Sequence, residues 1–268
     1  MGRYRIIAVT ALLAAAAMSG CGSDATPTAG ALPAGQMVFM VRQYGGMVPA
    51  VISAMQSPSL AVFGDGRVLT SQKDSALQPL PARYAVADVG AEAVRAFVAD
   101  VRSGGLLNGA TDFGSPRVTD VSTTEVMVQD ASGRAEARVY ALSARFDDAL
   151  SPAQRDARSR LRALIEQAGA LATGAPTADY VPERILVSEP LPGRNTETAV
   201  TAWPGPPPSG FLAPADGGRV IACGELTGAD AGTVYQAALN NPGALWLVDG
   251  VTRVLAVNPL PVGASCDG

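Results

Sequence analysis

Few side chains in this 268-residue chain are equipped for chemistry, and the missing ones exclude most of it. There is no histidine, which removes Ser-His-Asp and Cys-His nucleophilic sets, His-ligated zinc and imidazole proton transfer. Lys73 is the sole lysine, and Ser71-Gln72-Lys73 lacks the Ser-x-x-Lys spacing. Three cysteines remain, Cys21, Cys223 and Cys266, together with 24 Asp and Glu residues. Thiols can bridge or bind metal. Paired carboxylates can cleave a glycosidic bond, at about 5–5.5 Å apart with retention or roughly 6.5–9.5 Å with inversion. Asp65, Asp112, Asp120, Glu125 and Asp130 are available for such a pair, but nothing in their spacing singles out two of them. Asp112 and Asp120 fall well short of the six to eight oxygens calcium takes. Gly64-Asp65-Gly66 has neither a Walker lysine nor an EF-hand ligand series beside it. We therefore assign no catalytic residue and no metal ligand, and expect no cofactor.

The setting of Cys21 says more. Met1-Gly2-Arg3-Tyr4-Arg5 is a basic tip, and residues 6–20 are apolar and then small. Fifteen residues span roughly 22 Å as a helix, short of the ~30 Å bilayer core, so a cleaved signal fits better than a permanent span. Ala15-Ala16-Ala17 offers an ordinary secretory cleavage site. Met18-Ser19-Gly20-Cys21 resembles the signal of bacterial lipoproteins, with Met18 where leucine is usual. That resemblance implies diacylglyceryl attachment to the Cys21 sulfur, cleavage before Cys21 and further acylation, palmitate being the common label. The membrane is then a partner through covalent lipid alone, on the extracytoplasmic face, since two or more acyl chains hold stably. Residues 21–35, small and polar up to Gly30, read as a flexible tether after a signal peptide at 1–20.

With Cys21 given to the lipid, Cys223 and Cys266 are an even pair in an oxidising compartment, and a disulfide is the expected use. It would close a loop of about 44 residues and stabilise the fold by about 4 kcal/mol. Two free thiols are the alternative; a two-cysteine metal site is poorly supported without histidine. Removal of Arg3 and Arg5 takes the 20 basic residues to 18 against 24 acidic ones, a mature charge of about −6. Nucleic acid, which demands a basic stripe, is not an expected partner, and no polybasic run addresses anionic lipid.

The elements that would position these groups are mostly hairpins. Residues 37–44 read as a strand. Residues 59–63 and 67–71 flank Gly64-Asp65-Gly66, and residues 244–248 and 252–257 flank Asp249-Gly250; Asp-Gly between β-rich runs is a hairpin signal. A third hairpin joins 122–129 to 134–142, with Ala135, Ala137, Val139 and Ala141 alternating with Arg134, Glu136, Arg138 and Tyr140. Residues 83–89, 184–187 and 219–223 are further strands. Val94, Phe97, Val98 and Val101 predict a helix over 91–103, stopped by Gly104-Gly105. Ser151-Pro152-Ala153-Gln154 opens a second helix running to about 171, through a capping box. Its stripe is Leu161, Leu164, Ile165, Ala168 and Leu171, and Arg155, Arg158, Arg160 and Arg162 read as a solvated face paired with local acids. A short helix is expected over 229–240. Residues 190–210 read as irregular or extended, packed by Trp203, and residues 173–179 as a linker.

The expected fold is α+β: antiparallel, hairpin-built sheets with two longer helices and one short helix packed against them. The expected units are 36–172 and a smaller region at 181–268. The phrase Pro58-Ser59-Leu60-Ala61-Val62-Phe63-Gly64-Asp65-Gly66-Arg67-Val68-Leu69, with Gly45-Gly46 before it and Gly104-Gly105-Leu106-Leu107 and Cys266 after it, resembles secreted lipoproteins of actinobacteria. The resemblance implies no activity. The expected function is a non-catalytic binding or envelope-organising module with an envelope protein, glycan or lipid partner. A paired-carboxylate envelope hydrolase and a small-ligand carrier are the alternatives.

Overall fold

A computed structural model of the chain describes residues 32–48, 55–72, 80–189, 199–213 and 222–259. Its first layer is a seven-stranded sheet of β1 (Met37–Tyr44), β2 (Leu60–Phe63), β3 (Arg67–Gln72), β4 (Arg83–Asp88), β5 (Thr123–Asp130), β6 (Gly133–Tyr140) and β7 (Thr177–Asp179), in the order β6-β5-β1-β2-β3-β4-β7. Every neighbouring pair is antiparallel. Side chains alternate between the two sheet faces. Phe39, Val41, Leu60, Val62, Val68, Val126, Val128, Ala137 and Val139 share one apolar core with two helices, α1 (Ala91–Ser103) and α2 (Pro152–Ala170). A register shift between Met37 and Phe39 lets the adjacent Val38 and Phe39 both be buried.

Both helices form where the pattern puts them. Val94, Phe97, Val98 and Val101 are the buried face of α1, and Phe97 meets Phe39 edge to face at 5.0 Å. Gly105, at φ +63°, turns the chain away, and Leu106 and Leu107 enter the core. The capping box of α2 is complete: the Ser151 hydroxyl accepts from Gln154 N–H at 3.2 Å, and Gln154 Oε1 accepts from Ser151 N–H at 3.0 Å. Leu161 and Ala168 are fully buried, while Leu164, Ile165 and Leu171 are partly buried against the same core.

The later residues build a second core. β8 (Arg184–Glu189) lies between β10 (Ala222–Thr227) and β13 (Ala256–Pro259), all antiparallel. β11 (Leu245–Val248) pairs antiparallel with β12 (Val251–Arg253) and parallel with β9 (Val200–Ala202). The helix α3 (Gly228–Asn240) presents Ala231, Val234, Tyr235 and Ala238 to Ile185, Val187, Leu226, Trp246, Val248, Leu255 and Val257. Trp203 closes one side, edge-on to Trp246 at 5.3 Å. The β11–β12 turn has Asp249 at φ +48° and Gly250 at φ +80°, the two left-handed residues a tight hairpin needs.

The α+β class and the antiparallel hairpins are as expected, and two local readings are corrected. Residues 252–257 are not one strand: the chain leaves β12 at Arg253 and starts β13 at Ala256 in the other small sheet, so Val254 and Leu255 are a crossover. Residues 173–179 are not wholly linker, because Thr177–Asp179 pairs with β4 on the edge of the large sheet. The 190–210 segment, expected to be irregular or extended, contains among its described residues β9 and a 3-10 turn at Pro208–Gly210. Two- and three-residue pairings of this kind come from a neighbour's free edge and leave no periodic trace.

The described residues, all from Leu32 onward, belong to one compact unit. A buried polar seam joins the two cores. Asn258 on β13 is 1 % exposed. Its amide N–H groups donate to Met55 O at 2.5 Å and Ser57 Oγ at 2.7 Å, and its Oδ1 accepts from Ala82 N–H at 2.7 Å. The Ser57 hydroxyl donates to Pro259 O at 2.7 Å, and the Tyr235 hydroxyl donates to Ala82 O at 3.0 Å. Tyr84, Tyr180 and Tyr235 line this seam. Burial pushes all three phenols up, Tyr235 to about 12.

Two outcomes follow from the seam. Asn258→Ala orphans Ala82 N–H and Met55 O and should cost about 3 kcal/mol, read as a lower urea midpoint at unchanged m-value. For the tyrosines, the unfolded chain loses phenolic protons near pH 10 while the native chain holds them. Their contribution is therefore complete below pH ~10 and is lost as pH rises through the raised native values, about 12 for Tyr235. Near-ultraviolet absorbance should show fewer ionised tyrosines at pH ~11 in native than in urea-unfolded protein.

Candidate functional site

The five candidate carboxylates are dispersed into separate structural duties. Asp65 sits in the β2–β3 turn, accepting from Arg67 N–H at 3.2 Å and pairing with Arg67 Nε at 2.9 Å. Gly66 completes that turn at φ +106°, where an added Cβ would lie 2.7 Å from the Gly90 backbone. Asp112 accepts from Gln154 Nε2 at 2.9 Å and Gly114 N–H at 2.8 Å, and these bonds hold its carboxyl below the usual range. Asp120 is an exposed residue at φ +58°. Asp130, in the β5–β6 turn, is pushed up by burial, but bonds from Ser132 and Arg102 outweigh that and leave it lowered. A general acid needs the opposite displacement. Among the described residues no group of three or more Cys, Asp or Glu could hold a metal ion.

The fifth, Glu125, is where charge converges. It is fully buried on β5, in register with Arg42 on β1 and Arg138 on β6. Directly paired residues point to the same side of a sheet, so these three share the face opposite the helical core, with Arg134 four residues before Arg138 on the same face of β6. Arg42 Nε and Nη2 donate to Glu125 Oε2 at 3.1 and 2.5 Å. Arg134 Nη2 donates to Glu125 Oε1 at 3.1 Å, and Arg138 Nη2 lies 4.0 Å from the same oxygen. Glu136 joins Arg134 at 2.7 Å and Arg138 at 2.8 Å. Tyr44 lies beside Arg42, ring to guanidinium, at 5.4 Å. A carboxylate clamped by guanidinium groups on two sides is an anchored counter-ion, poorly placed to exchange protons or attack a sugar.

The arginines of α2 correct the expected solvated face. Arg158 is fully buried. Its Nε donates to Asp147 Oδ1 at 2.7 Å, Nη1 to Phe113 O at 3.3 Å and Tyr140 O at 3.2 Å, and Nη2 to Tyr140 O and Ala141 O. Ala141 is itself left-handed at φ +50°, so the guanidinium fixes a strained carbonyl at the end of β6. Arg162 adds Asp147 Oδ2 at 2.9 Å and Leu142 O at 2.9 Å. Only Arg160, paired with Asp156 at 3.0 Å, is the exposed helix-face pair the sequence suggested. Helical spacing marks which residues share a face; it cannot show that a loop folds over that face and buries it.

Cys223 on β10 is 7 % exposed and packs with Met55 and Leu186. Its sulfur does not stand as a free thiol. Cys21, Lys73 and Cys266 lie outside the described residues. Trp203 packs the proline-rich loop as expected: its indole N–H donates to Pro206 O at 2.8 Å, and a Cβ on Gly205 would lie 2.6 Å from Val234. No described helix is long and apolar enough to cross a membrane.

Sequence reading missed the convergence of Arg42, Arg134 and Arg138. The alternation along β6 puts Arg134, Glu136 and Arg138 on one face, but Arg42 joins them only through the β1–β5 register. Comparison with protein families, with curated proteins and with solved structures finds no match.

Arg158→Met should cost about 2–4 kcal/mol, since it removes the guanidinium donor from three carbonyls and leaves Asp147 with Arg162 alone. Arg160→Ala should stay within about 0.5 kcal/mol. Parallel urea titrations of the two variants check the contrast.

Proposed function

We propose that the chain is a lipid-anchored extracytoplasmic lipoprotein whose folded body is a non-catalytic binding or envelope-organising module. The observation that carries the reading is the leader ending in Met18-Ser19-Gly20-Cys21. The small, polar composition of residues 22–30 supports a tether after Cys21. Two lipid chains on Cys21 would hold such a body stably, with no polypeptide crossing required. Against hydrolysis, Asp65, Asp112, Glu125 and Asp130 are each tied into a turn or an ion pair. A Cys223–Cys266 disulfide belongs to the same proposal. It would staple β10 to the residues after β13, adding a covalent tie beside the Asn258 seam.

Mass spectrometry of membrane-extracted protein should find an amino-terminal peptide that begins at Cys21 and carries acyl chains. Cys21→Ala should abolish fatty-acid labelling. Unchanged labelling in that variant, or an unmodified terminus downstream of Cys21, would overturn the anchor. Crosslinking in intact cells should recover a defined envelope partner; polymer turnover abolished by one Asp or Glu substitution would overturn the non-catalytic half.

A further inference from the structure

We propose that Arg42, Arg134 and Arg138 form a contact face for the phosphates of anionic phospholipid headgroups, on which the anchored body rests. The proposal depends on the lipid anchor for its proximity to the bilayer, and on the arginine face for everything else. Three guanidinium groups meet two carboxylates, Glu125 and Glu136, so the cluster carries one surplus positive charge. The arginine side chains are 39, 49 and 57 % exposed, whereas Glu125 is 1 % exposed beneath them. Glu136 is 30 % exposed, less than any of the three arginines, so the positive ends dominate the solvent side of the cluster. A guanidinium has five N–H donors in a planar fork suited to phosphate oxygens. Among the described residues, the bonds to Glu125 and Glu136 use Nε and Nη2 and none uses Nη1.

The surroundings favour the membrane as the source of that phosphate. The body as a whole is acidic and is repelled by an anionic surface, so a local positive face decides which side can approach. The face also begins near the tether. β1 starts at Met37, 16 positions after Cys21, and Phe39 lies in register with Val128, next to the β5–β6 turn that leads into Arg134. The ten residues between Cys21 and Leu32, read as a tether from their composition, would span roughly 17 Å, which would hold the face within reach of headgroups at high effective concentration. One surplus cation near such a surface is worth a factor of about five, enough to orient a body that is already tethered.

The test uses the mature lipidated chain anchored in phosphatidylcholine vesicles, with or without phosphatidylglycerol, and an arginine-specific dicarbonyl reagent read by peptide mass spectrometry. Arg134 and Arg138 should react about fivefold more slowly on the anionic vesicles at low salt. Exposed Arg95 and Arg160 should not change, and high salt should erase the difference. In an Arg134→Gln/Arg138→Gln variant, with folding checked by circular dichroism and urea midpoint, Arg42 should lose its protection. Equal reaction on both vesicle types, or equal slowing of Arg95 and Arg160, overturns the proposal. Failure to float with phosphatidylcholine vesicles overturns the anchor alone; protection of Arg134 and Arg138 on anionic vesicles then still decides the face.

Discussion

The two cores are held in register by a buried polar seam centred on one amide. Asn258 satisfies Met55 O, Ser57 Oγ and Ala82 N–H, all from the first half of the chain, while its own strand pairs with β8 in the second half. A buried polar group without partners costs far more than a hydrogen bond gains, so only one relative placement of the two cores leaves these groups satisfied. Hydrophobic contact between Met55, Leu80, Leu186 and Ala256 supplies adhesion at the same seam but not direction. Tyr235, reaching from α3 to Ala82 O, repeats the logic one helix away.

Buried charge follows the same rule at two other places. Arg158 is enclosed because Asp147 and three carbonyls meet its fork, one of them at the strained Ala141. Glu125 is enclosed because Arg42 and Arg134 close on its two oxygens from either side. The difference lies in which partner is exposed. Around Arg158 the whole network is interior and serves the fold; around Glu125 the cationic ends stand in solvent. On β6, an edge strand, such charges also discourage pairing with another chain. The same side chains can thus guard an edge and present a positive face to a phosphate surface.

Much of the fold was legible because its strongest signals are local. The spacing of Val94, Phe97, Val98 and Val101 needs only a 3.6-residue period, the Ser151–Gln154 box only four residues, and the Asp249-Gly250 turn only two. What was not legible shares one cause. β7 and β9 are three residues each and exist because β4 and β11 offer a free edge. The break between β12 and β13 occurs inside an apolar run because two different sheets claim its ends. The candidate carboxylates were visible as residue types, but their isolation from one another was not, since turns and arginines contributed from distant positions decide what each one touches.

What the amino-acid sequence determined by itself is compositional and local. Without histidine, imidazole chemistry is absent, whatever the fold. The periodicities and turn residues specify three helices and a set of antiparallel hairpins, and the basic tip, apolar run and Cys21 carry the proposed leader, a reading that rests on no fold at all. Only the tertiary structure decided that Arg42 meets Arg134 and Arg138, that Arg158 is interior and that Asn258 joins the halves. Those facts depend on strand register and loop closure, which bring together residues up to 203 positions apart. Such contacts are set by the sum of many weak packing choices rather than by any short motif.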